Sequence, residues 1–365
     1  MHTCRFSIAG PAPLLVLLTM ISLLVLPSCS GRDEYIAITG FAQGGTYSVK
    51  LNLNGADGKV KESPQELKAG IDSILLAIDN SLSGYNKGSL LSRFNAGETI
   101  VPDGLFLEIY GKAREFYDGT GKAVDVASGP LFDIWGFGFT SDSMPVEASV
   151  AACLKSCGLD RMEPDMHSVL SGAGTLAPRN MLLPDAGDVL PRLNYNAIAQ
   201  GYSCDVIAGY LYSLGVKDML VDIGGEIYCD GCNPAGKSWA IGIDRPVDGS
   251  QVAGADIQAV LEVPRGPRGV VTSGNYRKFY LKDGRKYAHT IDPRTGYPVD
   301  HSLLSATIVT EGDATAADAY ATYCMVIGVD EAIEFIESRT DIEGYLIYAD
   351  GDSMQTWTSA GFTLR

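Results

Sequence analysis

The chain has 365 residues, 46% hydrophobic and 20% charged, which suits a globular protein of one to three domains with a large core. Its formal net charge of −16 argues against sequence-independent nucleic-acid binding and against docking on an anionic lipid surface, since both need clustered Lys and Arg. An acidic chain that handles a polyanion must neutralise it locally, and a divalent cation is the obvious agent.

Arg5 is the only charged side chain before an apolar run from Leu14 to Leu26, which leads into Pro27-Ser28-Cys29. A charged start, an apolar stretch and small residues at a cleavage point form a signal-peptide pattern, and the run is shorter than the ~20 residues of a spanning helix. A cysteine directly after a small residue resembles the bacterial lipobox, with Pro27 an unusual residue for it. Residues 1–28 are therefore expected to be a lipoprotein signal peptide, and 29–40 a leader lipidated on Cys29. Simple secretion is the alternative.

Beyond the leader, Tyr35 to Leu53 alternates as a hairpin bent at Gln43-Gly44-Gly45. Apolar residues at Leu67, Ile71, Ile74, Leu75 and Ile78 predict a helix over Gln65–Leu82, and a second spans Gly104–Tyr117. The region Ser141–Pro184 is the least legible, reading as a helix with an irregular excursion. Ser203–Leu214 is a helix stopped by Gly215, followed by the buried strand Asp218–Ile223. Strands dominate to about Val309, including Arg277–Leu281, and helices follow at Ala314–Ile327 and Asp330–Ser338. The interleaving predicts an α+β unit, either single or divided into two subdomains.

Of the eight cysteines, Cys4 lies in the signal and Cys29 in the lipobox. The others read as inert, disulfide-bonded or buried thiols, with a redox pair the alternative for Cys229-x-x-Cys232. No second CxxC or His pair completes a zinc set, and four histidines are too few for a histidine-rich metal site.

Several segments can carry chemistry. Leu82-Ser83-Gly84-Tyr85 ends a helix in a turn, and a short helix opens near Ser89; the Tyr85 ring is either a stacking platform or a packed cap. In Gly121–Leu131 and Ile134-Trp135-Gly136-Phe137-Gly138, small residues allow close approach to backbone and aromatic rings suit a flat heterocycle; packed aromatics in a Gly-rich loop are the alternative. Asn194–Asp205 sets a polar loop at a helix N-terminus, a natural site for phosphate. Leu220–Glu226 ends a buried strand in a glycine pair, which spacing alone reads as a bulge or turn. In Asp313–Thr322, Asp313 can cap a helix, while Asp318 and Thr322 are i and i+4 on one face. A carboxylate and a hydroxyl there can hold Mg²⁺, which commonly takes one or two carboxylates plus water and substrate phosphate; a hydrogen-bonded pair in an Ala-rich helix is the alternative. Finally, His289-Thr290-Ile291-Asp292-Pro293-Arg294-Thr295-Gly296 is a sharp loop presenting one imidazole, with Asp292 either orienting it or stabilising the turn.

In this order the segments resemble the FAD:protein FMN transferase (ApbE) family over nearly the whole mature chain. The resemblance implies a single ApbE-like, T-fold-like domain over 41–365, with flavin in its cleft. Phe41–Val49 looks like the family's Thr-Met-Gly-Thr-Thr opening motif, with Gln43 in place of methionine. Flavin or FAD contacts are implied for Gln43, Tyr85, Ala123, Val124, Asp125, Asn194, Gln200 and Ile291. Val124 replaces an aromatic residue, Asn194 an aspartate, and Gln200 a lysine or glutamate. The resemblance makes Asp318, Thr322 and the backbone carbonyl of Ala197 ligands of Mg²⁺ and His289 the catalytic histidine. It implies Mg-dependent transfer of FMN from FAD to a Thr or Ser hydroxyl of an acceptor protein, releasing AMP. The acceptors expected are flavoprotein subunits of membrane redox complexes or other exported proteins, met at the bacterial cell envelope facing the periplasm. An FAD pyrophosphatase and a non-catalytic flavin-binding lipoprotein are the rival readings. Together, His289, Asp318 and Thr322 disfavour the binder.

The leader makes its own prediction. Replacing Cys29 with Ser should release the protein into the soluble fraction or leave the signal uncleaved. Unchanged membrane attachment in a fractionation experiment would rule out the lipid anchor.

Overall fold

The computed structural model describes residues 34–56, 58–137, 144–162, 174–176, 192–248, 254–276, 279–282 and 285–365. The signal, Cys29 and much of the Ser141–Pro184 region lie outside them. The described residues all fall within one compact unit, Asp33–Arg365.

The strands, in chain order, are β1 (Tyr35–Ala42), β2 (Gly45–Asn52), β3 (Asn54–Gly55), β4 (Gly58–Lys59), β5 (Met219–Ile223), β6 (Glu226–Asp230), β7 (Ala240–Asp244) and β8 (Ile257–Glu262). They continue as β9 (Arg268–Gly274), β10 (Phe279–Lys282), β11 (Arg285–Ala288), β12 (Ile291–Asp292), β13 (Tyr297–Pro298), β14 (Leu303–Glu311), β15 (Ile342–Asp350) and β16 (Ser353–Thr358). The helices are α1 (Pro64–Leu82), α2 (Leu90–Asn95), α3 (Gly104–Gly119), α4 (Gly129–Ile134), α5 (Glu147–Leu154), α6 (Ala199–Ser213), α7 (Ala314–Ile327) and α8 (Val329–Glu337).

An eight-stranded antiparallel sheet in the order β1-β2-β5-β6-β9-β14-β15-β16 forms the frame. Its first hairpin closes through Gln43 (φ 53°) and Gly44 (φ 79°), the two left-handed positions a two-residue turn of matching twist requires. The period-2 pattern sends alternate side chains of β5 to opposite faces. Met219, Val221 and Ile223 join a core with α1 and α6, whereas Leu220 joins one beneath the β7–β8 hairpin with Trp239, Ile241 and Leu261. The sheet is thus covered on both sides, and the expected α+β class is what forms.

Helix α1 matches its predicted stripe and opens on a reciprocal capping box between Ser63 and Glu66. Helix α7 has the predicted bounds and its expected cap, with Asp313 Oδ1 accepting from Ala316 N at 2.8 Å. Helix α6 begins a turn earlier than predicted, at Ala199, because Ile198 precedes it with no side-chain cap for the sequence to announce. Gln200 and Gly201 consequently belong to its first turn rather than to the loop. In the least legible region, α5 is the expected helix, and a 3₁₀ turn follows at Leu159–Arg161.

The crossing of α6 over α7 depends on Gly201. A Cβ there would stand 2.3 Å from the Ala314 carbonyl oxygen and 3.0 Å from Asp318 Cβ. The clashing atom is backbone, held by the capping bonds from Asp205 to Ala314 N and Thr315 N, so it cannot step aside as a flexible side chain would and Gly201→Ala must push the helices apart. It is expected to destabilise the fold by about 1–3 kcal/mol, as overpacking does, despite the better helix propensity of Ala. A thermal melt unchanged from wild type would show that the crossing relaxes freely.

Candidate active site

The expected contacts come from separate stretches of chain, and hydrogen bonds, several of them through side-chain amides, gather them. Gln43, at the β1–β2 turn, donates through Nε2 to Ser203 Oγ, and Ser203 Oγ donates to the Ala199 carbonyl at 2.7 Å. The hairpin tip is thereby pinned to the first turn of α6. Asn95, at the end of α2, donates through Nδ2 to the Leu193 carbonyl and accepts from Leu193 N, both at 2.8 Å. Its amide works as a short strand partner that brings Asn194 beside the Ser83–Tyr85 turn. On the other side Asn194 N donates to the Val126 carbonyl at 2.7 Å, which draws in Ala123–Asp125.

These ties surround a cavity of about 410 Å³. Gln43, Tyr85, Ala123, Val124, Asp125, Asn194, Gln200 and Ile291 all line it, and so do His289, Ala197 and Thr322. Tyr85 is 66% exposed, so its ring is not a packed cap. Asp318 is not in the wall; it is only 4% exposed and lies one helical turn before Thr322, with its Oδ2 accepting from Gly201 N at 3.2 Å.

Burial sets the electrostatics. Desolvation pushes the Asp318 carboxyl well above the usual carboxylate range, and the charge of Glu226, itself in the cavity wall, adds to the shift. Asp205 is pushed up to about 7 by burial and by Asp313, against the N–H groups of Ala314 and Thr315, which donate to it at 2.8 and 2.9 Å. Those two bonds cap α7 from α6, making Asp205 a structural carboxylate. Asp125 is raised to about 7 by burial, opposed by backbone N–H groups of Ala127, Leu159 and Gly158.

The histidine loop stands off the main sheet. β10–β11 and β12–β13 are separate two-stranded hairpins, and His289 sits between them. Thr290 Oγ1 donates to Asn275 Oδ1 at 2.6 Å, and the Phe137 ring meets the imidazole edge-on at 6.4 Å. Asp292 stabilises the turn: its carboxylate accepts from Arg294 N, Nε and Nη2, each at 2.9 Å. Gly296 has φ 83°, the freedom the sequence anticipated.

One sequence reading changes. Trp135, expected as an aromatic for a flat heterocycle, is 5% exposed and outside the cavity wall; Phe132 and Phe137 line it instead. The glycine pair Gly224-Gly225 is the tight β5–β6 turn, as its spacing implies, and it carries Glu226, which no sequence signal singles out, into the wall. Thr272-Ser273-Gly274 also line the cavity, unannounced because small polar residues near a strand end look like any other exit into a turn. The six cysteines among the described residues are free thiols, and burial pushes Cys229 up to about 12, which makes it a poor nucleophile or soft ligand at neutral pH. Among the described residues, no group of three or more His, Cys, Asp or Glu side chains is placed to hold a metal.

Comparison with known proteins gives a consistent picture. Residues 44–346 match the model of the ApbE family. The chain is 31% identical over 353 residues to a FAD:protein FMN transferase of Vibrio cholerae, covering 95% of this chain and 97% of the relative. It is 30% identical over 345 residues to one of Haemophilus influenzae, covering 93% and 94%. Among solved structures, the flavin transferase ApbE from Vibrio cholerae superposes with a TM-score of 0.72 at 28% identity, covering 90% of this chain and 98% of that one. The apo flavinyl transferase ApbE of Pseudomonas stutzeri gives 0.73 at 28% identity, covering 90% and 95%.

Asp125 makes a pH prediction. Burial pushes its carboxyl up to about 7 in the folded chain, from 3.8 in the unfolded one. Between those values the folded chain holds a proton the unfolded chain has lost. The stabilisation is complete below the lower value and is lost as pH rises through about 7. Relative to Asp125→Asn, the wild type should therefore gain about 2–3 kcal/mol as pH falls from 8 to 5. Parallel stability profiles for the two proteins, measured without FAD, would show that Asp125 titrates normally.

Proposed function

The chain belongs to the ApbE family, and on that footing we propose that it transfers FMN from FAD to a threonine or serine hydroxyl of an acceptor protein, with Mg²⁺ as its metal. The observation that carries this reading is convergence: residues from widely separated segments meet at one cavity whose wall also holds His289 and Thr322. The names of the relatives support FAD as the donor and a protein as the acceptor.

The acceptor oxygen attacks the phosphorus on the FMN side of the pyrophosphate. The new P–O bond makes a flavinyl phosphoester, the bond to the AMP phosphate breaks, and AMP leaves with the bridging oxygen. The acceptor's proton goes to His289, whose imidazole serves as the base. Such a transfer depends on position and charge neutralisation, with no covalent enzyme intermediate. Asp318, Thr322 and the Ala197 carbonyl would hold Mg²⁺. They fit a hard cation because all three donors are oxygens and because Asp318 is buried within the field of Glu226, where a positive charge offsets like-charge repulsion. Bound there, the metal supplies neutralisation of the charge developing on the phosphates. Gln43, Tyr85, Ala123–Asp125, Asn194, Gln200 and Ile291 bind and orient the FAD. With neutral Asn194 and Gln200, this wall carries fewer charges than the family pattern. The Cys29 lipid tethers the reaction to the cell envelope, facing the periplasm, where exported redox subunits are the acceptors.

The test is incubation with FAD, Mg²⁺ and a flavin-free redox-complex subunit. The subunit should gain the mass of FMN, with AMP released one to one. EDTA or Asp318→Asn should stop transfer. His289→Ala should still bind FAD but transfer about 10²–10⁴-fold more slowly. FMN and AMP without an adduct would make the protein a pyrophosphatase, and wild-type rates from His289→Ala would remove the imidazole from the chemistry.

A further inference from the structure

We propose that Trp135 is a positioning residue for His289, acting through the turn that follows it. The inference rests on the reading that His289 takes the acceptor's proton.

The histidine loop gains little from the main sheet, since the hairpins on either side of His289 do not belong to it. Something else must hold the imidazole to the fraction of an ångström that proton transfer needs. Trp135 stands at the end of α4 and reaches both sides of the loop. Its Nε1 donates to the Gly296 carbonyl at 2.8 Å, in a fully buried bond. Its ring stacks on Tyr287, two residues before His289, with centroids 6.2 Å apart and an interplanar angle of 28°. It also meets Tyr297, just after the turn, edge-on at 5.8 Å.

The chain enters and leaves the loop against one indole. The turn is closed from the other direction by α5, where a Cβ on Gly296 would lie 2.8 Å from Val150 Cγ1 and 3.0 Å from Leu154 Cγ. Trp135, Val150 and Ile291 share one buried cluster, so the cavity-lining Ile291 is packed by the same group. The Nε1 bond is the directional element. Stacking tolerates sliding, but a buried N–H without its carbonyl costs the desolvation of both groups. That bond fixes the register of the loop, and with it the distance of the imidazole from the cavity.

Trp135→Phe keeps an aromatic ring and removes the donor. FAD dissociation should stay within about twofold, while single-turnover transfer should fall about 10- to 100-fold, as small misplacement of a reacting group does. The deciding measurement is a double-mutant cycle with His289→Ala. If Trp135 acts through His289, Trp135→Phe has no further effect on transfer once the imidazole is gone. Val150→Ala, which loosens the other side of the turn, should behave in the same way. Equal losses in the two backgrounds, or a Trp135→Phe protein that transfers like wild type, would overturn the proposal while leaving the transferase reading intact. A His289→Ala protein that transfers at the wild-type rate would overturn the proposal together with the reading of His289 as the base, again leaving the transferase reading intact.

Discussion

The contact between α6 and α7 at Gly201 is the constraint on which the candidate site depends. Helix axes approach this closely only where one partner lacks a side chain, and here backbone meets backbone: the Ala314 carbonyl oxygen lies 2.3 Å from where a Cβ of residue 201 would be. The approach lets Gly201 N reach the Asp318 carboxylate and lets Asp205 cap α7 with two backbone bonds. Asp318 and Thr322 are then presented beside the Ala197 loop at the start of α6. A wider crossing would separate these oxygens and leave the Asp318 carboxylate without its backbone donor.

The same packing creates an electrostatic cost. Asp125, Asp205 and Asp318 are all raised by burial in a chain whose formal charge is already −16. The relief differs between them. For Asp205 and Asp125, backbone N–H groups offset part of the desolvation, a fixed local solution. Asp318 has one such donor and faces Glu226 as well. A cation is the natural partner for a carboxylate held in that way, since it removes the desolvation cost and the repulsion together.

Much of this was legible in the chain. The stripe and capping box of α1, the Asp313 cap of α7 and the glycine-bearing hairpin turn are local signals, and local signals survive folding unaltered. The residues expected around flavin converge on one cavity because the resemblance carried positions that composition and periodicity could not supply. What was hidden depended on tertiary contact. The first turn of α6 has no side-chain cap, so Gln200 looked like loop. Glu226 and Thr272–Gly274 enter the cavity only through the sheet order. Trp135 read as an aromatic for a ligand because the sequence holds no record that its indole faces a carbonyl 161 positions away.

The two halves of the site are therefore held by different kinds of force. The oxygens of Ala197, Asp318 and Thr322 stand on crossed helices packed against the sheet, where displacement requires moving backbone through a close-packed core. The imidazole stands on a loop fastened by discrete side-chain bonds, Trp135 to Gly296 and Thr290 to Asn275. This division suits the proposed chemistry. Charge neutralisation at a pyrophosphate works best from fixed, preorganised groups, because any reorganisation would have to be repeated at each turnover. A base that receives a proton from a protein acceptor has to admit that acceptor first. The bonds that pin the loop keep the imidazole in register, while its place in the cavity wall leaves it open to an acceptor approaching from the cavity.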